Sequence, residues 1–392
     1  DGTCVESVDL TIDTVAITAD VVGTARSDDL VIKVLVDQDD RDNTVDTRAV
    51  DVAQTFVEAG ADVLFFLGED NGHGGPLDRD DNGALTVVFT EQVGEVFEDA
   101  VGIFDVRDFL PSSDSESTGN EADILWARPP GGETIDSCAD ADGCDSEEVT
   151  FELAVATLSH EYQHLVSFAR RAFENDTINL TSRETLWLDE GMSHTIEDLV
   201  GYGNSTQEAV SILFDPSEWF VDGRWASGVD SVAQRALAFS LLRPIIAQRA
   251  NDDGATTAAS TEVRAAARSV YAELLGSNQA GYNKPIFQTL GAQGIGDWLV
   301  ALYVTENDDV DESFSGLEYL PRATAASTFQ TGFSPFAEFV SARGETFNLP
   351  GPPLGDDEAS VLTEAGGAVS ADPLLSQAFY YIVRGVEPGV AT

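Results

Sequence analysis

Residues 151–171 read Phe-Glu-Leu-Ala-Val-Ala-Thr-Leu-Ser-His-Glu-Tyr-Gln-His-Leu-Val-Ser-Phe-Ala-Arg-Arg. Phe151, Leu153, Ala154, Leu158, Leu165, Phe168 and Ala169 recur at helical spacing, which predicts one long helix ending near Arg171. Asp145 and Glu148 stand where a capping pair would start it. The stretch divides the chain by period. Before it the patterns are mostly those of strands; after it they are mostly those of helices. An α+β architecture in two lobes follows.

Working outward, residues 5–36 read as strands, with Val8, Leu10 and Ile12 alternating and Leu30–Val36 rich in β-formers. Asp37–Asp46 is an acidic loop, and Thr47–Ala59 has helical spacing. Val63–Leu67, Leu85–Thr90, Gly102–Val106 and Ile124–Ala127 read as strands, the last ended by Arg128-Pro129-Pro130-Gly131-Gly132. Gly68–Gly83 and Ser112–Glu121 are polar loops. Downstream, a second helix is expected near Asp189, then helices over Val232–Gln248, Ser260–Leu275 and Ala292–Thr305, and a β-like run at Ala378–Val383. The implied division is a β extension over 1–45, a catalytic lobe over 46–205, a helical lobe over 206–345 and a Gly/Pro-rich segment over 346–392.

The chain has 392 residues, enough for a substantial core. No apolar run approaches the ~18 residues that a membrane helix needs. Seventy acidic residues face twenty basic ones, a formal net charge of −50, and only Lys33 and Lys284 are lysines. Such a surface is a poor partner for nucleic acid or anionic lipid. Abundant Asp and Glu with almost no Lys resembles the composition of salt-adapted proteins. The N-terminal Asp-Gly-Thr-Cys lacks the features of a signal peptide, so an exported protein would be read here in its mature form.

His160-Glu161-Tyr162-Gln163-His164 carries the chemistry. On a helix, positions i and i+4 share one face, so both imidazoles can reach one metal ion. Glu161 then lies beside the metal, placed to take a proton from water. Two of the chain's four histidines fall at this spacing, in apolar surroundings where bare His and Glu would be costly. A catalytic zinc needs a third protein ligand. Ser167 and Arg170 stand where a metzincin would carry Gly and His. Glu190, in Trp187-Leu188-Asp189-Glu190-Gly191-Met192-Ser193-His194, fits instead, at the start of the second helical run. His194, one turn on, could orient a ligand or donate to the reaction's oxyanion; Glu197 shares that face. Tyr202 and His73 are other candidate donors.

Together these residues resemble a gluzincin, the thermolysin-like class of zinc peptidases. Within it, His160–His164 followed by Trp187–Asp198 is similar to the hyicolysin family, with weaker likeness over Asp78–Thr90 and Asn278–Val304. The resemblance implies a secreted endopeptidase with two lobes around a cleft and a catalytic zinc on His160, His164 and Glu190. It also implies peptide or protein substrates and Glu161 as general base. The chain departs from the class where His194 replaces an Asp common four residues after the glutamate ligand. The alternative is a secreted metal-binding protein of the same fold without peptidase activity.

Three smaller features remain. Asp78-Arg79-Asp80-Asp81-Asn82-Gly83 resembles the start of a calcium loop, with Asp78, Asp80 and Asn82 at its first ligand positions. The twelfth position is Phe89 rather than Glu, which favours an ordinary Asx-rich turn over calcium. Cys138 and Cys144 bracket a short loop that a disulfide could close, two free thiols being the alternative; Cys4 is left over. Asn175, Asn179 and Asn204 lie in sequons.

Overall fold

The computed structural model describes residues 6–27, 30–60, 78–97, 100–110, 119–131, 149–174, 177–178, 183–200 and 261–289. It adds isolated helical residues between 239 and 250 and two short strands, 338–340 and 346–348. Expectations for Val63–Leu67, His73, Tyr202, the cysteines, the sequon asparagines, 292–305 and 378–383 lie outside the described residues.

Six strands form one mixed sheet: β1 (Ser7–Ile12), β2 (Val15–Arg26), β3 (Val31–Asp37), β4 (Leu85–Phe89), β5 (Gly102–Ile103) and β6 (Ile124–Ala127), in the order β1-β2-β3-β4-β6-β5. The chain is α+β, as expected. β1, β2 and β3 pair antiparallel, β3, β4 and β6 run parallel, and β5 closes the edge antiparallel to β6. The sequence shows why. β1 and β2 meet at the two-residue turn Asp13-Thr14, where Asp13 takes φ +53°. The parallel strands β4 and β6 are buried along their whole length and are apolar at every position but Thr86, since both faces are covered.

One face of the sheet packs Ile32, Val34, Val36, Val87, Phe89 and Leu125 against α1 (Asn43–Gly60) and α3 (Phe151–Ala172); α2 (Gln92–Val96) packs with the opposite face. Leu10, Ile12, Leu35, Val88, Ile124 and Trp126 fill that opposite face. α1 starts because Asp42 Oδ1 accepts the Thr44 and Val45 N–H groups at 2.7 and 2.8 Å. It buries Ala53, Phe56 and Val57 of the apolar spacing read from sequence, together with Ala49 and Val52, while Val50 is only partly buried. The boundary expected at residue 45 falls inside this layer, with the sheet continuing across it.

α3 is capped by Thr150, whose Oγ1 accepts the Leu153 N–H at 3.1 Å; the Asp145–Glu148 pair lies outside the described residues. Its apolar face joins the core, and Tyr162 is sealed between it and Phe56. α4 (Leu186–Val200) packs along α3, and α5 (Thr261–Leu275) touches α3 from the C-terminal part of the chain. A buried ion cluster ties these parts together. Glu184 Oε2 lies 3.3 Å from Arg171 Nη1 at the end of α3 and 2.8 Å from Lys284 Nζ. Lys284 is fully buried and also donates to the Leu274 carbonyl at 2.5 Å. Burial pushes its pKa down, against the pull of Glu184. Among the described residues, no helix is long and apolar enough to cross a membrane.

Candidate metal centre

α3 and α4 lie side by side with two rows of polar residues turned towards each other: His160 and His164 one turn apart on α3, and Glu190, His194 and Glu197 over two turns of α4. His160, Glu190, His194 and Glu197 are all buried. In a core position, such groups need partners. They find them in one another.

Two ring nitrogens meet head-on, His160 Nε2 and His164 Nε2, 3.0 Å apart. Glu190 stands against both, Oε2 at 3.3 Å from His160 Nε2 and Oε1 at 3.7 Å from His164 Nε2. A tetrahedral cation bonded at about 2.0–2.1 Å holds its ligand atoms roughly 3.4 Å apart. The observed separations bracket that value, and two nitrogens with one carboxylate form a chemically suitable donor set. The group His160, His164 and Glu190 can therefore hold a metal ion.

The other nitrogen of His160 is engaged differently. Its Nδ1 lies 2.5 Å from Glu197 Oε1, and His194 Nδ1 lies 3.0 Å from the same oxygen. These atoms, His160, His194 and Glu197, form a second group close enough to hold a cation. The 2.5 Å contact of His160 Nδ1 with Glu197 Oε1 is that of a direct hydrogen bond, shorter than between two ligands of one ion. A carboxylate accepting Nδ1–H fixes the tautomer of His160 and leaves its Nε2 lone pair for the first group. His164 is held similarly, with Nδ1 3.1 Å from Asp189 Oδ2.

The electrostatics agree with a place made for positive charge. Burial alone would push the His160 pKa down. Hydrogen bonding to Glu190 and Glu197 overrides it and raises the value well above that of an ordinary histidine. His164 is raised in the same way, against its burial, by the charges of Asp189 and Glu190. The Glu197 carboxyl is pulled below its usual range despite burial, because His194 and His160 stabilise its charge.

These groups line a cleft of ≈ 880 Å³ between α3, α4 and the edge strand β5. Glu161 lines it too, and its Oε2 accepts the backbone N–H of Phe104 at 2.8 Å, just past β5. Gly102 lets the strand come this close. A Cβ there would overlap Thr157 Cγ2 and come within 3.4 Å of Glu161 Cγ. The walls include Val101, Ile103, Phe104, Leu153, Phe168 and Leu186, giving apolar surface beside the polar cluster.

The five residues singled out from sequence, His160, Glu161, His164, Glu190 and His194, thus line one cleft. In the loop at Asp78–Gly83, Asp78 accepts the Asn82 and Gly83 N–H groups at 2.8 and 2.9 Å, and Asn82 Oδ1 accepts the Ala84 N–H at 2.7 Å as an Asx turn. The acidic group brought together there is Asp78, Asp80 and buried Asp123, with Asn82 Nδ2 donating to Asp80 and Arg79 N–H donating to Asp123 at 3.2 Å. Glu197 and Asp189, which hold the two imidazoles, received no role from sequence. Glu197 had a signal: it stands seven residues after Glu190, two turns along the same face. No protein-family model matches this chain, and no curated protein matches it.

Proposed function

We propose that the chain is a zinc-dependent endopeptidase of the gluzincin type, with a thermolysin-like two-lobed fold. One observation carries the reading. His160, His164 and Glu190 converge on one point, and Glu161, beside the first of them on the same helix, lines the same cleft. Two imidazoles and a carboxylate suit zinc as well as ferrous iron, and the glutamate base next to the first histidine favours zinc, which when bound would supply Lewis acidity to a water and a peptide carbonyl. His160 Nε2, His164 Nε2 and Glu190 would hold it. Glu197 and Asp189 keep the two imidazoles turned inward.

Glu161 does the proton work. One of its oxygens is fixed by the Phe104 amide, which orients the carboxylate. The other accepts a proton from the attacking water and returns it to the leaving amine. His194, fixed through Nδ1 by Glu197, is the candidate donor to the developing oxyanion. The apolar walls exclude water and take up substrate side chains.

The test is casein hydrolysis and zinc content on purified protein, with and without chelator, for the wild type and Glu161→Gln. The wild type should hold one zinc and lose activity with it. Glu161→Gln should keep the zinc and lose roughly 10²–10⁴-fold in rate, the usual worth of a positioned base. Hydrolysis indifferent to chelator would overturn the reading. Zinc retained without hydrolysis by the wild type would leave a metal-binding protein.

A further inference from the structure

The cleft is lined by five carboxylates, Glu161, Glu184, Asp189, Glu190 and Glu197, and, among the described residues, by one arginine or lysine, Arg183. In a chain with 70 acidic and 20 basic residues an arginine is expected to be claimed by a neighbour. Arg41, Arg107, Arg128, Arg171 and Arg249 are, each within an ion pair. Arg183 has no ion pair among the described residues.

The cleft carboxylates are committed elsewhere. Glu184 faces Arg171 and Lys284 with one oxygen and takes the Thr185 and Gly281 N–H groups with the other. Asp189 holds His164, Glu190 faces both metal-site imidazoles, Glu197 holds His160 and His194, and Glu161 holds the Phe104 amide. Arg183 instead lays its guanidinium over the Phe168 ring, Cζ 5.7 Å from the centroid. That ring is itself wedged by Phe104 and Phe109, with centroids 5.6 and 5.4 Å away. An aromatic face holds a guanidinium in place without neutralising it, so its donors stay available for a planar anion.

We infer that Arg183 is a specificity residue that binds a carboxylate of the substrate. This rests on the cleft being a peptide site. The carboxylate is either an Asp or Glu side chain or the free C-terminus of the peptide, both of which offer the two oxygens a guanidinium fork matches. The preference would run against the repulsion expected from the chain's overall charge, because Arg183 acts locally while the distant charges are screened by salt.

The experiment uses matched peptides at fixed salt: one series with an internal Glu replaced by Gln, one with the C-terminal acid replaced by the amide. kcat/KM is measured for the wild type and for Arg183→Gln and Arg183→Lys. The wild type should favour the acid member of one series by about tenfold or more, as for a charge-assisted pair. Arg183→Gln should erase that preference while leaving the neutral peptide's rate, and Arg183→Lys should restore part of it. The series showing the preference identifies the source. Equal acid-to-neutral ratios in wild type and Arg183→Gln would overturn the inference. Equilibrium binding of the same peptides to Glu161→Gln, alone and combined with Arg183→Gln, asks the same question without turnover. An acid preference lost with Arg183 there supports the inference even if no peptide is cleaved; one that survives, or none at all, overturns it.

Discussion

At the residue scale, Glu197 is the side chain on which the proposed centre turns. Its Oε1 holds His160 Nδ1 at 2.5 Å, and with it the direction of Nε2. Groups that orient a ligating histidine typically contribute 10–100-fold to metal affinity. Glu197→Ala should therefore weaken zinc binding by about that factor, read by competition with a chromogenic chelator. Glu197→Gln, which still offers an oxygen to Nδ1–H, should lose less. Unchanged affinity in both would remove Glu197 from the centre. His160 and His164 were legible because helical spacing alone puts them on one face of α3, with Glu161 next to the first, and Glu190 was legible as a carboxylate at the start of the next helical run. Glu197 needed the distance between two helices, which no local pattern contains. The Phe104 amide that holds Glu161 has no side-chain signature.

Elements were legible where apolar periodicity was strong and less so where a single hydrogen bond sets the end. α4 begins at Leu186 rather than near Asp189 because the Thr185 carbonyl takes both the Leu188 and Asp189 N–H groups at 3.0 Å. β5 stops at Ile103 rather than running to Val106 because the Phe104 N–H turns to Glu161. The packing of α3, α4 and α5 hangs on Glu184, which lies between Arg171 and Lys284 with its side chain fully buried. Removing one member of a buried ion cluster costs about 3–5 kcal/mol, because the remaining charge stays buried without its partner. Glu184→Ala should lose stability on that scale, measured from urea midpoints. A loss under about 1 kcal/mol, as for a surface pair, would show that the cluster is solvated in solution.

For the whole molecule, the net charge of −50 sets the terms. At ~0.01 M ionic strength the Debye length is about 30 Å, so most surface carboxylates repel one another; near 1 M it is about 3 Å. Unfolding spreads the charge over a larger volume and relieves the repulsion, so low salt favours the unfolded chain. The melting temperature should climb steadily with sodium or potassium chloride towards molar concentrations. A flat curve by calorimetry would sink the salt-adapted reading, and stabilisation by millimolar calcium alone would move attention to Asp78, Asp80 and Asp123. The scarcity of lysine has another consequence. Lys33 is partly open to solvent beside Glu6, whereas Lys284 is sealed under Glu184 and the Leu274 carbonyl. An amine-acylating reagent therefore meets one lysine while the fold holds and a second only when the junction of α3, α4 and α5 opens. The rate at which Lys284 becomes modified is a built-in clock for the breathing of that junction.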